Sequence, residues 1–135
     1  MSAAKNDPIT LFGISNCDQV RKARKLLKAQ GVEYQFHDFR KDGLTEDLLD
    51  QWMRHVPWDA LLNKRGRSWR QLSDSERSAI TDQGSAQEAM LNEPTLIKRP
   101  VLTTGPHVLV GFSESVYLRT LGLQALPDGT ESKEK

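Results

Sequence analysis

The chain has 135 residues, a formal net charge of +1 and a single cysteine. This length suits one domain that buries a core without disulfides or metals, and the balanced charge gives no global argument for binding nucleic acid or a membrane surface. The sequence contains no signal-peptide pattern and no apolar run of about 18 residues. We therefore expect a cytoplasmic monomer that binds neither nucleic acid directly nor a membrane.

The first predicted elements surround the cysteine. Residues 1–8 are small and polar and are predicted to form a flexible leader, and Ile9–Phe12 has the apolar run of a buried strand. A short polar loop follows, and a basic amphipathic helix begins at Cys17. Free N–H groups and aligned peptide dipoles favour an anion at a helix start, and a thiolate is an anion. A reactive thiol is thus about as well supported as a small buried hydrophobic residue.

The helix and the segment after it predict a βαβ unit. Gly31 is placed to end the helix, and Glu33–Phe39 alternates as a strand does. The two strands of such a unit are parallel and joined by a right-handed crossover. The inward stripe of the helix is predicted to consist of Val20, Ala23, Leu26 and Leu27.

No second thiol accompanies Cys17. Val20 stands where a Cys-X-X-Cys motif has its second cysteine, so turnover through this sulfur requires an external thiol. The three histidines have no metal-ligand spacing, and we predict no metal site.

The middle third of the chain is predicted to be helical. Thr45 is a predicted N-cap, Pro57 ends the first run, and Trp58–Leu62 is a predicted short helix. Two capping boxes are predicted, Ser73 with Glu76 and Ser85 with Glu88.

A basic segment lies between these helices. Residues Asn63–Arg70 carry four cations and no acid. A solvated loop is one interpretation; a site that holds a carboxylate or oxyanion near the thiol is the other. Trp69 is predicted to be a core anchor.

The last third returns to strands. Val101–Thr103 and His107–Val110 flank a Gly-Pro pair and predict an antiparallel hairpin. Ser113 is a predicted cap for a final helix that ends at Gly122. We expect one domain at 9–122 and a disordered tail at 123–135.

Together these segments resemble the ArsC/Spx branch of the thioredoxin fold, in particular its YffB-like proteins. The resemblance covers about Ile9 to Gly122. The segments that carry it are Leu11-Phe12-Gly13-Ile14-Ser15-Asn16-Cys17-Asp18, Lys22-Ala23-Arg24, Leu62-Asn63-Lys64-Arg65-Gly66 with Trp69, and Leu96-Ile97-Lys98-Arg99-Pro100-Val101.

This resemblance implies an α/β fold with a four-stranded mixed sheet and an all-helical insertion, at about 44–93, between the second and third strands. It implies that Cys17 is the nucleophile, that Arg99 lies over the thiolate, and that the peptide before Pro100 is cis. Arg65 resembles a second anion-binding arginine, and Asn16, Asp18 and Pro100 join it as expected substrate-binding residues.

The implied activity is that of a thiol reductase without a bound cofactor. Its expected co-substrate is glutathione, its expected substrate is a small oxidised thiol, and the resemblance leaves glutaredoxin open as a partner. Two alternatives stay open: a glutaredoxin-coupled arsenate reductase, and a non-enzymatic Spx-like module that contacts RNA polymerase. Arsenate reductases of the family have a further arginine where Gly111-Phe112-Ser113 stands and a histidine where Gly13 stands. Spx regulators usually use a Cys-X-X-Cys switch, which Val20 removes.

Overall fold

The computed structural model describes residues 7–124. The predicted leader and tail lie outside the described residues, except for residues 7–8 and 123–124. Within residues 7–124, no helix is long and apolar enough to cross a membrane.

A four-stranded mixed sheet organises the chain, as predicted. Its strands are β1 (Ile9–Gly13), β2 (Gln35–Asp38), β3 (Val101–Thr104) and β4 (His107–Val110), in the order β2-β1-β3-β4. β1 pairs parallel with β2 and antiparallel with β3, and β3 and β4 form the predicted antiparallel hairpin. The carboxyl ends of β1 and β2 and the beginning of β3 therefore share one end of the sheet.

Helices cover both faces of this sheet. The first helix, α1, is Asp18–Ala29, and the last, α8, is Glu114–Leu121. Between β2 and β3 lie α2 (Phe39–Asp42), α3 (Glu46–Met53), α4 (Trp58–Leu61), α5 (Arg67–Gln71), α6 (Asp74–Ser78), α7 (Gln83–Asn92) and the 3₁₀ turn Pro94–Leu96.

The alternation of side chains along the central strands creates two cores. Leu11 and Leu102 face one side of the sheet and pack with α1 and α8, whereas Phe12 and Val101 face the other side and pack with α3, α4 and α7. The four predicted inward residues of α1 are all buried. Thr45 and Ser113 cap α3 and α8 through the N–H groups of Leu48 and Val116, as predicted.

The second strand is shorter than predicted. It ends at Asp38 because that side chain accepts hydrogen bonds from the N–H groups of Arg40, at 2.7 Å, and Lys41, at 3.3 Å. An aspartate that can cap a turn competes with continued strand pairing. The chain therefore enters α2 at Phe39, where the alternating pattern predicts continued strand.

One of the two predictions of a capping box is wrong. The Ser73–Glu76 box is confirmed, but the predicted Ser85–Glu88 box is not formed. Asp82 caps α7 instead and exchanges hydrogen bonds with Ser85, so the helix begins three residues earlier. These hydrogen bonds hold the pKa of the Asp82 carboxyl below its usual range, and the bond from the Ser85 N–H has the largest effect. The basic segment is also not all loop, because α5 begins at Arg67.

Gly13, the last residue of β1, lies directly against α1. An added Cβ would be 2.7 Å from Cγ2 of Val20, and Val20 is fully buried and β-branched, so it has no free rotamer to adopt. We expect Gly13→Ala to lower the free energy of unfolding by about 1–3 kcal/mol, measured by urea denaturation.

Gly84→Ala in α7 is the matched control, since the added Cβ there would have its only close neighbour at 3.8 Å. This change should leave the stability unchanged or raise it by up to about 1 kcal/mol. An equal loss in the two variants would show that the contact with Val20 is not the cause.

Tyr117 on α8 is fully buried, and its hydroxyl has no hydrogen-bond partner among residues 7–124. Burial raises the pKa of this phenol, while a phenol in the unfolded chain ionises near pH ~10. Above that pH the unfolded chain binds fewer protons than the folded one, so stability falls as pH rises.

Tyr117→Phe should therefore be neutral or stabilising at pH 7, because it removes an unsatisfied hydroxyl. It should also reduce the loss of stability between about pH 9 and about pH 11. Urea denaturation across this range measures both effects; parallel pH profiles for the two proteins would contradict the assignment.

Candidate active site

Cys17 is the N-cap residue of α1. Its backbone is extended, with φ −113° and ψ 130°, and its side chain makes no capping hydrogen bond. Its carbonyl accepts from the N–H of Arg21 at 2.9 Å. The residue is half-buried and touches both core clusters. Cys17 thus stands at the helix end where the first N–H groups are free, and the residue is not sealed in the core.

Sheet register brings Arg99 and Pro100 to the same end of the fold as Cys17. Phe12 near the end of β1 pairs with Val101 at the start of β3, so Pro100 lies next to the end of β1. That strand ends four residues before Cys17. The Arg99–Pro100 peptide is cis, as the resemblance implies. Pro100 is buried, and its carbonyl accepts from the N–H of Gly111 at 2.8 Å.

The guanidinium of Arg99 is fixed at one end only. Nη1 donates to the carbonyls of Thr95, at 2.9 Å, and Ile97, at 3.2 Å. Nε is buried and has no partner among the described residues. Nη2, which has two of the five N–H donors of a guanidinium, makes no hydrogen bond among the described residues and is available to an anion. The hydrogen bonds of Arg99 in residues 7–124 go to backbone carbonyls and not to Cys17, and its contact with the thiolate stays a prediction.

The basic segment is tied to the chain just before Arg99. Leu62 forms a β-bridge with Ile97, the N–H of Asn63 donates to the carbonyl of Leu96 at 2.7 Å, and the N–H of Lys98 donates to the carbonyl of Leu61 at 2.9 Å. These bonds hold the predicted anion-binding segment next to the start of β3.

Arg65 itself is exposed. Its backbone N–H donates to Oδ1 of Asn63 at 3.1 Å, and its carbonyl accepts from Nη1 of Arg70 at 2.6 Å. The neighbouring Lys64 is 5.7 Å from the ring of Trp69, and that half-buried ring packs against the core. The backbone of Arg65 is therefore held by the segment, while its side chain extends into solvent.

Asn16 and Asp18 flank the cysteine on the surface. Both are exposed, and Asp18 is paired with the exposed Arg21 one turn later. Asp18 thus has a partner within its own helix, while Asn16 lies in the turn that leads into Cys17. Residues 7–124 contain no group of three or more His, Cys, Asp or Glu that could hold a metal ion.

Thr95 is the residue near the site that sequence reasoning missed. Its carbonyl accepts from Arg99, and its hydroxyl is hydrogen-bonded to Ser68 and Glu93. These contacts lock the turn that orients Arg99. Ser68 is 27 residues away in sequence, so no local pattern indicates the contact.

Comparison with known proteins identifies relatives over nearly the whole described chain. The sequence profile of the ArsC family matches residues 12–120. A Haemophilus influenzae protein without a described function is 40% identical over 109 residues, covering 81% of this chain and 95% of that protein. The solved structure named YffB (PA3664) superposes with a TM-score of 0.80 at 38% identity, covering 84% of this chain and 98% of that one. The global transcriptional regulator Spx of Streptococcus pyogenes is 26% identical, covering 78% of this chain and 79% of the regulator.

Proposed function

We propose, from the premise that the chain belongs to the ArsC family, that it is a thiol reductase in which Cys17 is the nucleophile and glutathione the reductant. The observation that carries this proposal is a half-buried cysteine, with no side-chain capping bond, at the start of a twelve-residue helix. Arg99 and Pro100 directly precede the neighbouring strand β3, at the same end of the sheet.

The reaction has two thiol–disulfide exchanges. The Cys17 thiolate attacks a sulfur of a disulfide or of a glutathionylated thiol; the S–S bond breaks, and the departing thiolate takes a proton from water. A mixed disulfide on Cys17 results. The thiolate of a glutathione molecule then attacks the sulfur bound to Cys17 and restores the Cys17 thiolate. The released product is oxidised glutathione when the group on Cys17 is glutathionyl, and a mixed disulfide of glutathione with the substrate otherwise. Since the protein has no second cysteine, the external thiol supplies the resolving step, and no bound cofactor is required.

The neighbouring residues have distinct roles in this proposal. Arg99 and Arg65 hold a carboxylate of glutathione, for which a guanidinium fork is well suited. The N–H groups of the first turn of α1 stabilise the sulfur anion. Asn16, Asp18 and Pro100 line the approach of the substrate to Cys17. We place the reaction in the cytoplasm, where thiols are kept reduced.

The arsenate reductase alternative has less support. Gly111 has φ +78°, and the ring of Phe112 packs edge-on against Tyr117 at 5.0 Å, in the segment where the family enzymes have a further arginine. A histidine at position 13 would collide with Val20. Losing one of three cationic groups weakens oxyanion binding by about 1–3 kcal/mol, which is about fivefold to about 150-fold. We expect little or no arsenate reduction with glutathione and glutaredoxin.

The Spx-like alternative concerns binding rather than catalysis. Val20 is fully buried, so the position of a switch cysteine is part of the core in this chain. Docking on RNA polymerase does not require that switch, and a pull-down with purified polymerase tests it directly. Retained polymerase together with no reductase activity would favour this alternative over the enzyme.

A steady-state assay tests the proposed reductase. The protein is given a mixed disulfide of glutathione and a small thiol, and the oxidised glutathione formed is measured at several concentrations of both substrates. A covalent intermediate on Cys17 predicts ping-pong kinetics, with parallel double-reciprocal lines. Intersecting lines, or no rate above the uncatalysed exchange, would contradict the proposed cycle.

A further inference from the structure

The end of the sheet that holds Cys17 carries an excess of positive charge. α2 directly follows β2 at this end and contributes Arg40 and Lys41, whereas Lys98 lies three residues before the start of β3. Lys22 lies about 7 Å along α1 from Cys17. We define the cationic rim as five exposed residues, Lys22, Arg40, Lys41, Arg65 and Lys98.

The cations of this rim are free of ion pairs in the part of the chain that the structure describes, where the two ion pairs are Arg21–Asp18 and Arg77–Asp74. The nearby carboxylates are already bonded. Asp18 pairs with Arg21, Asp38 caps α2, and Asp42 accepts from the N–H of Asp38 at 2.9 Å. The positive charge of the rim is therefore available to a binding partner.

The rim is wider than the co-substrate of the proposed reaction requires. Glutathione has two carboxylates and one ammonium group, and Arg65 and Arg99 already provide two guanidinium groups for it. Arg40 and Lys41 follow β2, while Lys98 precedes β3, and β1 lies between these strands. The distance from β2 to β3 is two strand spacings, which is about 10 Å. The surplus cations therefore follow and precede the strands on both sides of β1, the strand that leads to Cys17.

We propose that the oxidised thiol reduced by Cys17 belongs to a protein whose surface around that thiol is acidic. This inference rests on the proposed function. A cationic rim around the nucleophile attracts such a surface, speeds its encounter with the sulfur, and disfavours neutral or basic partners. The atoms exchanged are those of the cycle above: the Cys17 thiolate attacks the glutathionyl sulfur of the partner's mixed disulfide, and the partner thiolate leaves and takes a proton from water. A second glutathione then removes the group bound to Cys17 as oxidised glutathione. A nucleic acid fits less well, because the net charge of the chain is only +1.

Three glutathionylated pentapeptides test the proposal. Each has a central cysteine, flanked by four Glu, four Gln or four Lys residues, and kcat/KM is measured with glutathione after subtraction of the uncatalysed rate. The wild-type protein should reduce the Glu peptide about tenfold faster than the Gln peptide at low salt, with the Lys peptide slowest. The ratio should approach one near 0.5 M salt, because the charges are then screened. Equal kcat/KM values at low salt would overturn the inference.

Charge-reversed variants locate the effect. In Arg40→Glu/Lys41→Glu the Glu-to-Gln ratio should fall to about one or below. Lys28→Glu/Arg119→Glu is the matched control: both residues are exposed and lie in the last turns of α1 and α8, at the opposite end of the sheet, so the ratio should persist. An unchanged Glu-to-Gln ratio in Arg40→Glu/Lys41→Glu, or a ratio that falls to one only in the control variant, would overturn the role of the cationic rim. If the first variant does not fold, the salt dependence of the wild-type ratio still decides.

Two outcomes separate this inference from the function on which it rests. If the wild-type protein reduces none of the peptides, or Cys17→Ser reduces them equally well, the proposed reductase is wrong and the inference falls with it. If all three peptides are reduced at one rate through Cys17, the reductase stands and only the acidic partner is wrong. A competition assay separates the acidic protein from a nucleic acid. Reduction of the Gln peptide is measured with either a single-stranded oligonucleotide or the Glu peptide without its glutathionyl group as the inhibitor. Stronger inhibition by the oligonucleotide would mean that the partner is a nucleic acid and not an acidic protein.

Discussion

Replacing Cys17 by serine is expected to slow glutathione-dependent reduction of a small mixed disulfide by about 10³-fold or more. A hydroxyl is a weaker nucleophile than a thiolate at neutral pH and cannot form the mixed disulfide that the second step resolves. No other residue of the chain can take over this step, because Cys17 is the single cysteine. The measurement is the initial rate of oxidised glutathione formation at saturating glutathione.

Two controls accompany this substitution. Ser15→Ala changes an exposed residue of the turn before the cysteine and should retain the wild-type rate. Because Cys17 packs partly against both cores, thermal unfolding of Cys17→Ser must show that it still folds. A folded Cys17→Ser protein that keeps more than about a tenth of the rate would show that the reaction does not proceed through this sulfur.

Replacing Arg99 by alanine should lower kcat/KM for the same substrates by about tenfold to about a hundredfold. A charge-assisted hydrogen bond to a carboxylate contributes about 1.5–3 kcal/mol, and Nη2 of this guanidinium is available for one. Most of the loss should appear as a higher KM for glutathione, because the arginine is proposed to bind its carboxylate.

Arg99 also holds the carbonyls of Thr95 and Ile97, so its loss has a structural component. Arg99→Lys retains the charge without the planar fork and should recover only part of kcat/KM. Arg54→Ala is the matched control, because it removes an exposed arginine at the C-terminal end of α3. This change should leave kcat/KM and the KM for glutathione unchanged. An unchanged KM for glutathione in Arg99→Ala would contradict the assigned role.

Local patterns predicted the elements whose structure is set locally. The apolar stripe of α1, the caps Thr45 and Ser113, and the turn at Gly105 each depend on residues within a few positions of one another. Two errors were local competitions that the pattern did not resolve. Asp38 caps α2 where the alternating pattern predicts a strand. Ser85 forms a capping box with Asp82 and not with Glu88.

The candidate site could be predicted only in part, because its parts meet through long-range contacts. The single cysteine at a helix start is visible in the sequence, whereas Arg99 and Arg65 were assigned through a family resemblance. The pairing of Phe12 with Val101 and the bridge between Leu62 and Ile97 bring these segments together. No periodicity in the sequence specifies either pairing.

The proposed reaction requires that the sulfur of Cys17 is accessible, and reactive as an anion, in the folded protein. Intact-protein mass spectrometry after exposure to oxidised glutathione at neutral pH, before and after addition of reduced glutathione, tests it most directly. The account predicts one glutathionyl group on Cys17 of the folded protein and its complete removal by reduced glutathione. An adduct that forms only after denaturation, or one that reduced glutathione does not remove, would contradict the account.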